Sequence, residues 1–266
     1  MKRLFAILSF FLISTAVSAE EQGFIDIVAS FTPGEGQNTG QDDEFFPENI
    51  FGPPDSNASE KTPSQTPEEI LSLGLDGEIV IGFEDHFIVD GPGADFTIFE
   101  NAFINPINKK VFAEPAVVSV SIDGEEFIEF PYNETTLEGC AGTKPTNGKA
   151  DPFDPGQSGG NSYDLSDIGL QKIKWIKIRD ITRTLLEDPE HTYYDPTLTG
   201  FDLDAVAGIH LEESGMLSVN ESAVSYFNIK LSGSFLIIEN HRNIKLSLQL
   251  IDITGSSVFS DKISSN

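Results

Sequence analysis

The sequence is poor in cysteine. Cys140 is the only cysteine among 266 residues, so no intramolecular disulfide can form. The fold must therefore be stabilised by an apolar core, and the 39% of hydrophobic residues, with 21 Phe in the chain, are sufficient to build one. No histidine lies near Cys140, which favours a buried small side chain over a nucleophile.

Basic residues are also scarce. The chain has 16 Lys and Arg against 43 Asp and Glu, and its formal net charge is −27. A surface this acidic repels nucleic acid and anionic lipid, so the composition argues against both as partners. Acidity favours solubility and divalent cations, but the charge alone does not define a metal site.

Long apolar segments are missing after the first residues. Residues 2–3 are basic, residues 4–13 are mostly apolar, and residues 17–19 are small, which is the pattern of a secretory signal peptide. The apolar segment is too short to span a bilayer. We therefore predict a signal peptide at residues 1–19 and an exported protein, extracellular or at the cell surface, without membrane insertion.

Short segments rich in β-branched and aromatic residues follow one another along the chain. They are residues 24–31, 78–83, 96–100, 116–122, 126–130, 172–179 and 203–211. Most are bounded by Gly, Pro, Asp or Asn, which is typical of an all-β sandwich or barrel. Asp123-Gly124 predicts a hairpin turn, and the apolar side changes after Trp175, which indicates a bulge or a strand covered on both faces.

The remaining segments predict loops and a small second module. Residues 32–69 and 131–162 are rich in Gly, Pro, Asn and Asp, and no amphipathic helix of useful length is predicted. Strand-like segments at 234–239, 245–253 and 257–259 follow a boundary near residue 212. Residues 213–266 are therefore predicted to be a linker and a short, incomplete C-terminal β-module, since about 50 residues is marginal for an independent domain.

Several motifs, taken in order, resemble those of a family of bacterial cell-surface proteins. They are Leu73-Gly74, GEIV at 77–80, DGPGADFTIFEN at 90–101, Glu114-Pro115-Ala116, VSIDG at 120–124, Asp164-Leu165 with Ile168-Gly169-Leu170, and FDLDAV at 201–206. The resemblance covers about residues 52–211 and implies a jelly-roll, galactose-binding-like sandwich over residues 20–212. It implies no single function, because such sandwiches serve in carbohydrate binding, in adhesion and as inert spacers.

The C-terminal residues resemble the sorting domain of type IX secretion substrates in Bacteroidota. The matching segments are LII at 236–238 and LQLIDITG at 248–255. The sequence departs from that pattern because no Asn-Pro pair precedes the first strand and the final strands with their terminal basic residue are absent. The resemblance implies the type IX secretion machinery as a partner, and the departures imply a shortened sorting signal.

Acidic side chains lie at the ends of segments that are expected to be buried strands. Asp95, Glu100, Asp202 and Asp204 are candidate calcium ligands, with Asp90, Asn101 and Asp180 as further candidates. Burying an unpaired carboxylate costs several kcal/mol, and Ca²⁺ takes oxygen ligands of these types. The alternative is that these groups cap turns and strand ends, or pair with Arg179 and Arg183. A bound ion is expected to be structural.

Aromatic side chains in a loop suggest a ligand site. Tyr193 and Tyr194, with Tyr163, are candidates for a platform on which a sugar ring stacks, and packing of the loop onto the sandwich is the alternative. We expect a non-catalytic, calcium-stabilised module that binds a glycan or another extracellular ligand, such as a surface protein. A structural or adhesive surface protein with no small-molecule site is the second hypothesis.

A hydrolase is the third and weakest hypothesis. Residues 156–160 match the Gly-x-Ser-x-Gly elbow of serine hydrolases, and Asp202 and His210 follow in the hydrolase order. The elbow needs a strand before the serine and a helix after it, and a Pro-rich loop precedes it here. The four histidines have no metal-ligand spacing, and His210 is expected at the surface or in a cap. We therefore predict no catalytic residue.

Overall fold

The described residues of the computed structural model are 23–36, 39–214 and four strands between residues 227 and 263, the latter as backbone only. The predicted signal peptide at residues 1–19 lies outside them. The chain divides into two units, residues 1–214 and 215–266. No helix in the described part of the chain has the length and apolarity to cross a bilayer.

Antiparallel strands form nearly all of the regular structure in the first unit, which confirms the predicted all-β class. The strands are β1 (Ile27–Thr32), β2 (Leu71–Ser72), β3 (Glu78–Gly82), β4 (His86–Val89), β5 (Phe96–Glu100), β6 (Phe103–Ile104), β7 (Val111–Phe112), β8 (Ala116–Ser121), β9 (Ile128–Glu129), β10 (Asn161–Tyr163), β11 (Lys172–Ile173), β12 (Trp175–Asp180), β13 (Asp202–Gly208) and β14 (Leu211–Glu213). Short 3₁₀ turns cover Glu48–Ile50 and Leu165–Ile168, and one helical turn, α1, covers Arg183–Leu186.

Two larger sheets make the sandwich. The five-stranded sheet has the order β1-β3-β12-β8-β9, and the four-stranded sheet has the order β10-β5-β13-β2. A three-stranded sheet, β11-β4-β14, and the β6–β7 hairpin complete the described unit. The predicted hairpin at Asp123-Gly124 joins β8 to β9, where Val120 pairs with Ile128 and Asp123 Oδ1 accepts the Glu125 amide at 2.9 Å.

The main core lies between the two larger sheets. Ile79 and Ile176 of one sheet and Phe96 and Val206 of the other belong to the same buried cluster, and each is fully buried. Complete burial of such a side chain contributes about 1.5–3 kcal/mol. The alternation of buried and partly exposed residues in β12 follows from the period of two in a strand with one face on the core.

The change of apolar side in residues 172–179 has a simple structural cause. The strand is interrupted at Lys174, whose amide donates to Ser121 O at 2.9 Å. Ile173 before the interruption pairs with β4, whereas Ile176 after it pairs with β3 and β8. Both isoleucines reach the main core although they are three residues apart. At the place where a bulge was expected, the chain therefore passes from one sheet to another.

β13 contains the bulge that displaces an acidic side chain. Leu203 and Val206 both face the main core, and the register with β5 shifts between Leu203 and Ala205. Asp204 is the extra residue, and Ala205 begins a second apolar face that packs on Phe99. The predicted strand at 203–211 therefore ends at residue 208, and β14 follows separately.

A second apolar cluster contains Cys140. The thiol packs with Val117, Leu137 and Leu185 and is 1% exposed, which confirms the prediction of a buried small side chain. Burial disfavours the thiolate and raises the pKa of Cys140 to about 12. Leu185 belongs to α1, a turn that the sequence did not predict.

The described residues of the C-terminal unit form two antiparallel strand pairs. They are β15 (Phe227–Ser232) with β16 (Phe235–Asn240), and β17 (Leu246–Ile251) with β18 (Ser257–Ile263). The strands predicted at 234–239, 245–253 and 257–259 correspond to β16, β17 and the start of β18, and β15 was not predicted.

Candidate functional site

Four carboxyl groups converge where β5 ends and β13 begins. β5 and β13 pair so that Glu100 lies opposite Leu203, next to Asp202. Glu114 and Asp180 interact electrostatically with Asp202. We name Glu100, Glu114, Asp180 and Asp202 the inner carboxylate cluster. It joins both sheets, since Asp180 ends a strand of the five-stranded sheet.

The segment that leads into β13 is held by this cluster. Glu114 Oε1 accepts the Gly200 amide at 2.9 Å and also the Thr199 amide, and Asp180 Oδ2 accepts the Phe201 amide at 2.9 Å. Gly200 has φ +118°, and a Cβ on it would lie 2.5 Å from the carbonyl carbon of Gly74. Only glycine fits this position, so the loop geometry is fixed by backbone as well as by charge.

Asp180 has four hydrogen-bond donors. Oδ1 accepts the amides of Asp76 and Thr182 at 2.9 and 3.1 Å, and Oδ2 accepts Thr182 Oγ1 at 2.6 Å and the Phe201 amide at 2.9 Å. This arrangement corresponds to the capping role that was the alternative to calcium. The expected arginine partners are not used, because Arg179 pairs with Glu129 and Arg183 with Glu35 and Asp76.

Glu100 and Asp202 each have one oxygen with no well-formed hydrogen bond, although the Asp202 amide lies near the Glu100 carboxyl group and the Ser72 hydroxyl lies near that of Asp202. Glu100 is 1% exposed, and its Oε2 accepts the Ala102 amide at 2.6 Å while Oε1 is buried without such a bond. Asp202 Oδ2 accepts Asn101 Nδ2 at 2.9 Å, and Oδ1 is likewise buried without one. Orphaned buried oxygens are costly, because their desolvation is not compensated.

Burial raises the pKa of the carboxyl groups in the inner carboxylate cluster. Desolvation is the main cause of a pKa of about 8 for Glu114 and about 6 for Asp202, and it raises the pKa of Glu100 well above its usual range. Neighbouring carboxylates add to each increase, as Asp202 does for Glu114. The cluster therefore needs protons or a cation to balance part of its charge.

A second group of carboxylates lies at the other end of β5. Asp90, Asp95 and Asp164 each offer one oxygen within 4.8 Å of the others, and we name them the turn cluster. Asp95 is fully buried, and its Oδ2 accepts the Leu165 amide at 2.7 Å. Asp164 Oδ1 accepts the Ser166 amide at 2.9 Å and caps the 3₁₀ turn.

His210 contacts the turn cluster. Its Nδ1 lies 2.8 Å from Asp95 Oδ1, which also accepts the Gly91 amide at 2.8 Å. A Cβ on Gly91 would lie 2.3 Å from the imidazole, so glycine is required for this contact. His210 is therefore partly buried in a defined hydrogen bond instead of being a free surface residue.

Asp204 lies apart from both clusters. Its two oxygens are 3.1 and 3.3 Å from the Asp55 amide, which donates to them. Burial, together with the nearby carboxylates of Asp55 and Glu69, raises the pKa of Asp204 to about 8. The bulge in β13 explains why Asp204 is separate from Asp202. Without the bulge, the two side chains would lie on the same face of the strand.

The seven predicted calcium ligands do not form one site. The five residues of β5 separate Asp95 from Glu100 by about 16 Å at the rise of a strand, and Asp204 is displaced by the bulge. Asp90 and Asp95 belong to the turn cluster, whereas Glu100, Asn101, Asp180 and Asp202 meet at the other end. Two acidic residues were missed, Glu114 and Asp164, although both belong to motifs of the family resemblance.

The structure removes Tyr163 from the predicted aromatic platform. It is 6% exposed, and its ring centroid lies 5.2 Å from that of Phe96 and 4.9 Å from that of Phe130. Its hydroxyl donates to Gly139 O at 3.2 Å. Both faces of the Tyr163 ring are covered in the main core, so neither face can stack on a ligand.

Tyr193 and Tyr194 line a shallow cleft of about 20 Å³, so a ligand larger than water would lie over the cleft and not inside it. Tyr194 is 36% exposed, whereas Tyr193 packs partly against the second apolar cluster. The opposite wall is the turn between β6 and β7, and Lys110 Nζ ties the two walls together by donating to Thr192 O at 3.1 Å. We name this the tyrosine cleft, and its walls include Asn105, Asn108, Lys110, Tyr193, Tyr194 and Asp195.

The polar groups of the tyrosine cleft are partly unused. Asn105 Oδ1 and Asn108 Oδ1 accept the amides of Ile107 and Lys110, both at 2.9 Å, and so shape the turn. Within residues 39–214, neither amide NH₂ group donates to another residue. Asp195 Oδ1 accepts Thr197 Oγ1 at 2.6 Å and its other oxygen has no donor in the same range. The cleft therefore offers donors and an acceptor to a polar ligand.

The Gly-x-Ser-x-Gly segment is built as a series of turns. Ser158 is 1% exposed, and its hydroxyl donates to Gly159 O at 3.4 Å. β10 begins at Asn161, so a strand follows the serine where a hydrolase elbow has a helix.

No family model matches the chain, and no curated protein matches it. The resemblance to bacterial cell-surface proteins thus stays a prediction from the motifs.

Proposed function

We propose that the protein is an exported, non-catalytic module that binds a glycan over the tyrosine cleft. The observation that supports this most is the exposed ring of Tyr194 beside the unused amide groups of Asn105 and Asn108. A sugar offers an apolar face of C–H groups to an aromatic ring and hydroxyl groups to amides and carboxylates. The site suits a neutral sugar, because Asp195 would repel an acidic one.

Replacing Tyr194 with Ala is expected to weaken glycan binding about tenfold, since one stacked ring contributes roughly 1 kcal/mol or more. Tyr194→Phe keeps the ring and is expected to retain most of the affinity. Ile122→Ala, an exposed side chain on the β8–β9 hairpin, is the matched control. A panel of neutral oligosaccharides followed by calorimetry on each hit measures the effect. Equal binding by Tyr194→Ala and the unmodified protein would exclude this cleft.

A protein-binding surface is the second candidate, and exposed apolar residues favour it. Ile107 is 90% exposed at the tip of the turn that borders the tyrosine cleft. Ile122 and Ile128, 40% and 44% exposed, border a groove of about 410 Å³ on the edge strand β9. Ile122 and Ile128 lie beside the open edge of the five-stranded sheet, and an open edge can pair with a strand of another protein. The oligosaccharide panel separates the two candidates, because this one predicts no hit.

Calcium at the turn cluster is part of the proposal. Oxygens bound to Ca²⁺ at about 2.4 Å can be up to about 4.8 Å apart, and the oxygens of Asp90, Asp95 and Asp164 meet that limit. An ion there would fix the turn after β4 to the 3₁₀ turn after β10. The role is structural, because the residues of the cluster hold two loops in place.

Calcium is expected to raise the melting temperature of the protein, and Asp164→Asn is expected to abolish the increase. Asn caps a helical turn as well as Asp does, so the variant removes charge without removing the cap. At 100 times the dissociation constant, one bound ion adds about 2.7 kcal/mol. Thermal melts in calcium and in excess chelator measure the shift, and Asp151→Asn, in an exposed turn, is the control. Loss of the shift in both variants, or no shift at all, would count against the site.

A further inference from the structure

We propose that copies of this chain associate head to tail, with the tip of the β6–β7 hairpin of one copy bound in the groove beside β9 of the next. We name the tip, residues 105–110, the knob, and the groove formed by residues within 120–128 and 170–172 the acceptor groove. The inference rests on the second candidate function, the protein-binding surface, and names its partner. It involves neither a glycan nor a metal ion.

The knob presents one apolar side chain to solvent on an ordered backbone. Ile107 is 90% exposed at its tip. The Asn105 amide donates to Lys110 O at 2.9 Å, and Asn105 Oδ1 accepts the Ile107 amide at 2.9 Å. The rings of Phe103 and Phe112 stack at the base of the hairpin, with their centroids 5.1 Å apart. A side chain on a backbone that is already ordered loses little conformational entropy on binding.

The acceptor groove has an apolar surface that is open to a partner. Val120 and the partly buried Leu170 line it. Ile122 and Ile128, which also line it, are 40% and 44% exposed. Its volume of about 410 Å³ is sufficient for an isoleucine side chain and the aliphatic part of a neighbouring lysine. Ile107 of the same chain does not fill the groove, because that side chain is 90% exposed.

The charges of the two surfaces are complementary. Lys109 and Lys110 of the knob form no ion pair with any residue that the structure describes. Asp123 and Glu126 lie on the rim of the acceptor groove and are likewise in no ion pair within residues 39–214. Lys172, also on the rim, is already paired with a glutamate of β14 at 4.0 Å. Two free lysines of the knob therefore match two free carboxylates of the groove.

A second copy of the chain is the partner that both surfaces fit. The knob needs an apolar pocket with an acidic rim, the groove needs an apolar side chain next to lysines, and each surface meets the need of the other. Val111 of the hairpin packs in the second apolar cluster with Val117, near the start of β8, whereas the groove begins at Val120, near its end. A contact between two different surfaces repeats from copy to copy, as an open chain or a closed ring. The net charge of −27 opposes the approach of copies, so the association is expected to be weak.

Sedimentation velocity of the full-length chain at protein concentrations up to about 1 mM tests the proposal, because so small a contact is expected to have a Kd in the high micromolar range or weaker. Ile107→Asn and Ile122→Asn each remove an apolar side chain from the contact. Each variant alone is expected to self-associate at least tenfold more weakly than the unmodified chain. Thr135→Asn, at an exposed β-branched residue outside both surfaces, is the control and is expected to associate as before.

A mixture of the two variants tests the pairing of the knob with the groove. The Ile107→Asn chain keeps an intact acceptor groove, and the Ile122→Asn chain keeps an intact knob. The mixture is therefore expected to form heterodimers, with the affinity of one unmodified contact, and nothing larger. Circular dichroism checks that both variants are folded. If Ile122→Asn does not fold, Glu126→Gln on the exposed rim replaces it as the groove variant.

Three results would overturn the proposal. The first is an unmodified chain that stays monomeric at every concentration. The second is self-association that persists in both variants, which would indicate another contact, such as pairing of the open edge of β9. The third is a mixture that associates no better than either variant alone. None of these results excludes the second candidate function, which fails separately if the oligosaccharide panel gives a hit.

Discussion

Replacing Asp180 with Ala is expected to lower the free energy of unfolding by about 3–5 kcal/mol. The carboxylate accepts from the amides of Asp76, Thr182 and Phe201 and from the Thr182 hydroxyl. Removing it leaves several donors without an acceptor, each at a cost of about 1–3 kcal/mol where the donor is buried. The loss is large because one side chain ties together three separate parts of the chain.

Urea unfolding of the two proteins measures this difference. Asp188→Ala is the control, because Asp188 is exposed and, among the described residues, its carboxylate accepts only the Glu190 amide. Its effect is expected to stay below about 0.5 kcal/mol. A change of less than about 1 kcal/mol in Asp180→Ala would mean that water or a neighbouring group replaces the carboxylate.

The metal-free protein is expected to lose stability as the pH rises from 5 to 8. The pKa of Asp204 is raised to about 8 by burial, so the folded chain holds a proton that the unfolded chain has released. Stability from this proton is complete below the usual pKa of Asp and disappears as the pH approaches the folded pKa. The contribution of Asp204 to the slope is at most about 1.4 kcal/mol per pH unit, or about 4 kcal/mol over this range. Glu114, whose pKa is also raised to about 8, adds to the slope in the same direction.

Asp204→Asn is expected to make the stability less dependent on pH. Asn keeps an oxygen for the Asp55 amide and carries no titrating group, so the contribution of this residue to the slope is lost. Urea unfolding in excess chelator at several pH values gives the slope for each variant. Asp43→Asn, at an exposed position, should keep the slope of the unmodified protein. An equal slope in Asp204→Asn would show that Asp204 is ionised in the fold.

The strands that could be predicted are those whose own residues show the composition of a β-strand. β5 has the predicted bounds, and β3 and β8 differ from prediction by one residue at one end, since each contains a run of apolar or β-branched side chains. β10 begins inside the segment 131–162, which was predicted to be a loop, and ends one residue beyond it. Its residues Asn161-Ser162-Tyr163 have no strand signal, and they are extended because β5 offers them an edge to pair with.

The candidate sites were predictable only in part, for reasons of distance along the chain. Asp90 and Asp95 are close in sequence and stay close in space, so their grouping could be inferred. Glu114 and Asp202 are brought together by the packing of two sheets, which no local pattern encodes. The four donors of Asp180 come from segments that only the tertiary structure places side by side.

If the chain is exported, as we propose, the buried thiol of Cys140 has a consequence in an oxidising compartment. An accessible cysteine there would cross-link one molecule to another, since disulfide chemistry starts from an exposed thiolate. In the folded chain, Cys140 is only 1% exposed and the pKa of its thiol is raised, so the thiol does not take part in that reaction. Folding therefore protects the thiol from oxidation. A chain that folds before it meets an oxidant stays a single covalent molecule, whereas a chain that folds later can form disulfide-linked dimers.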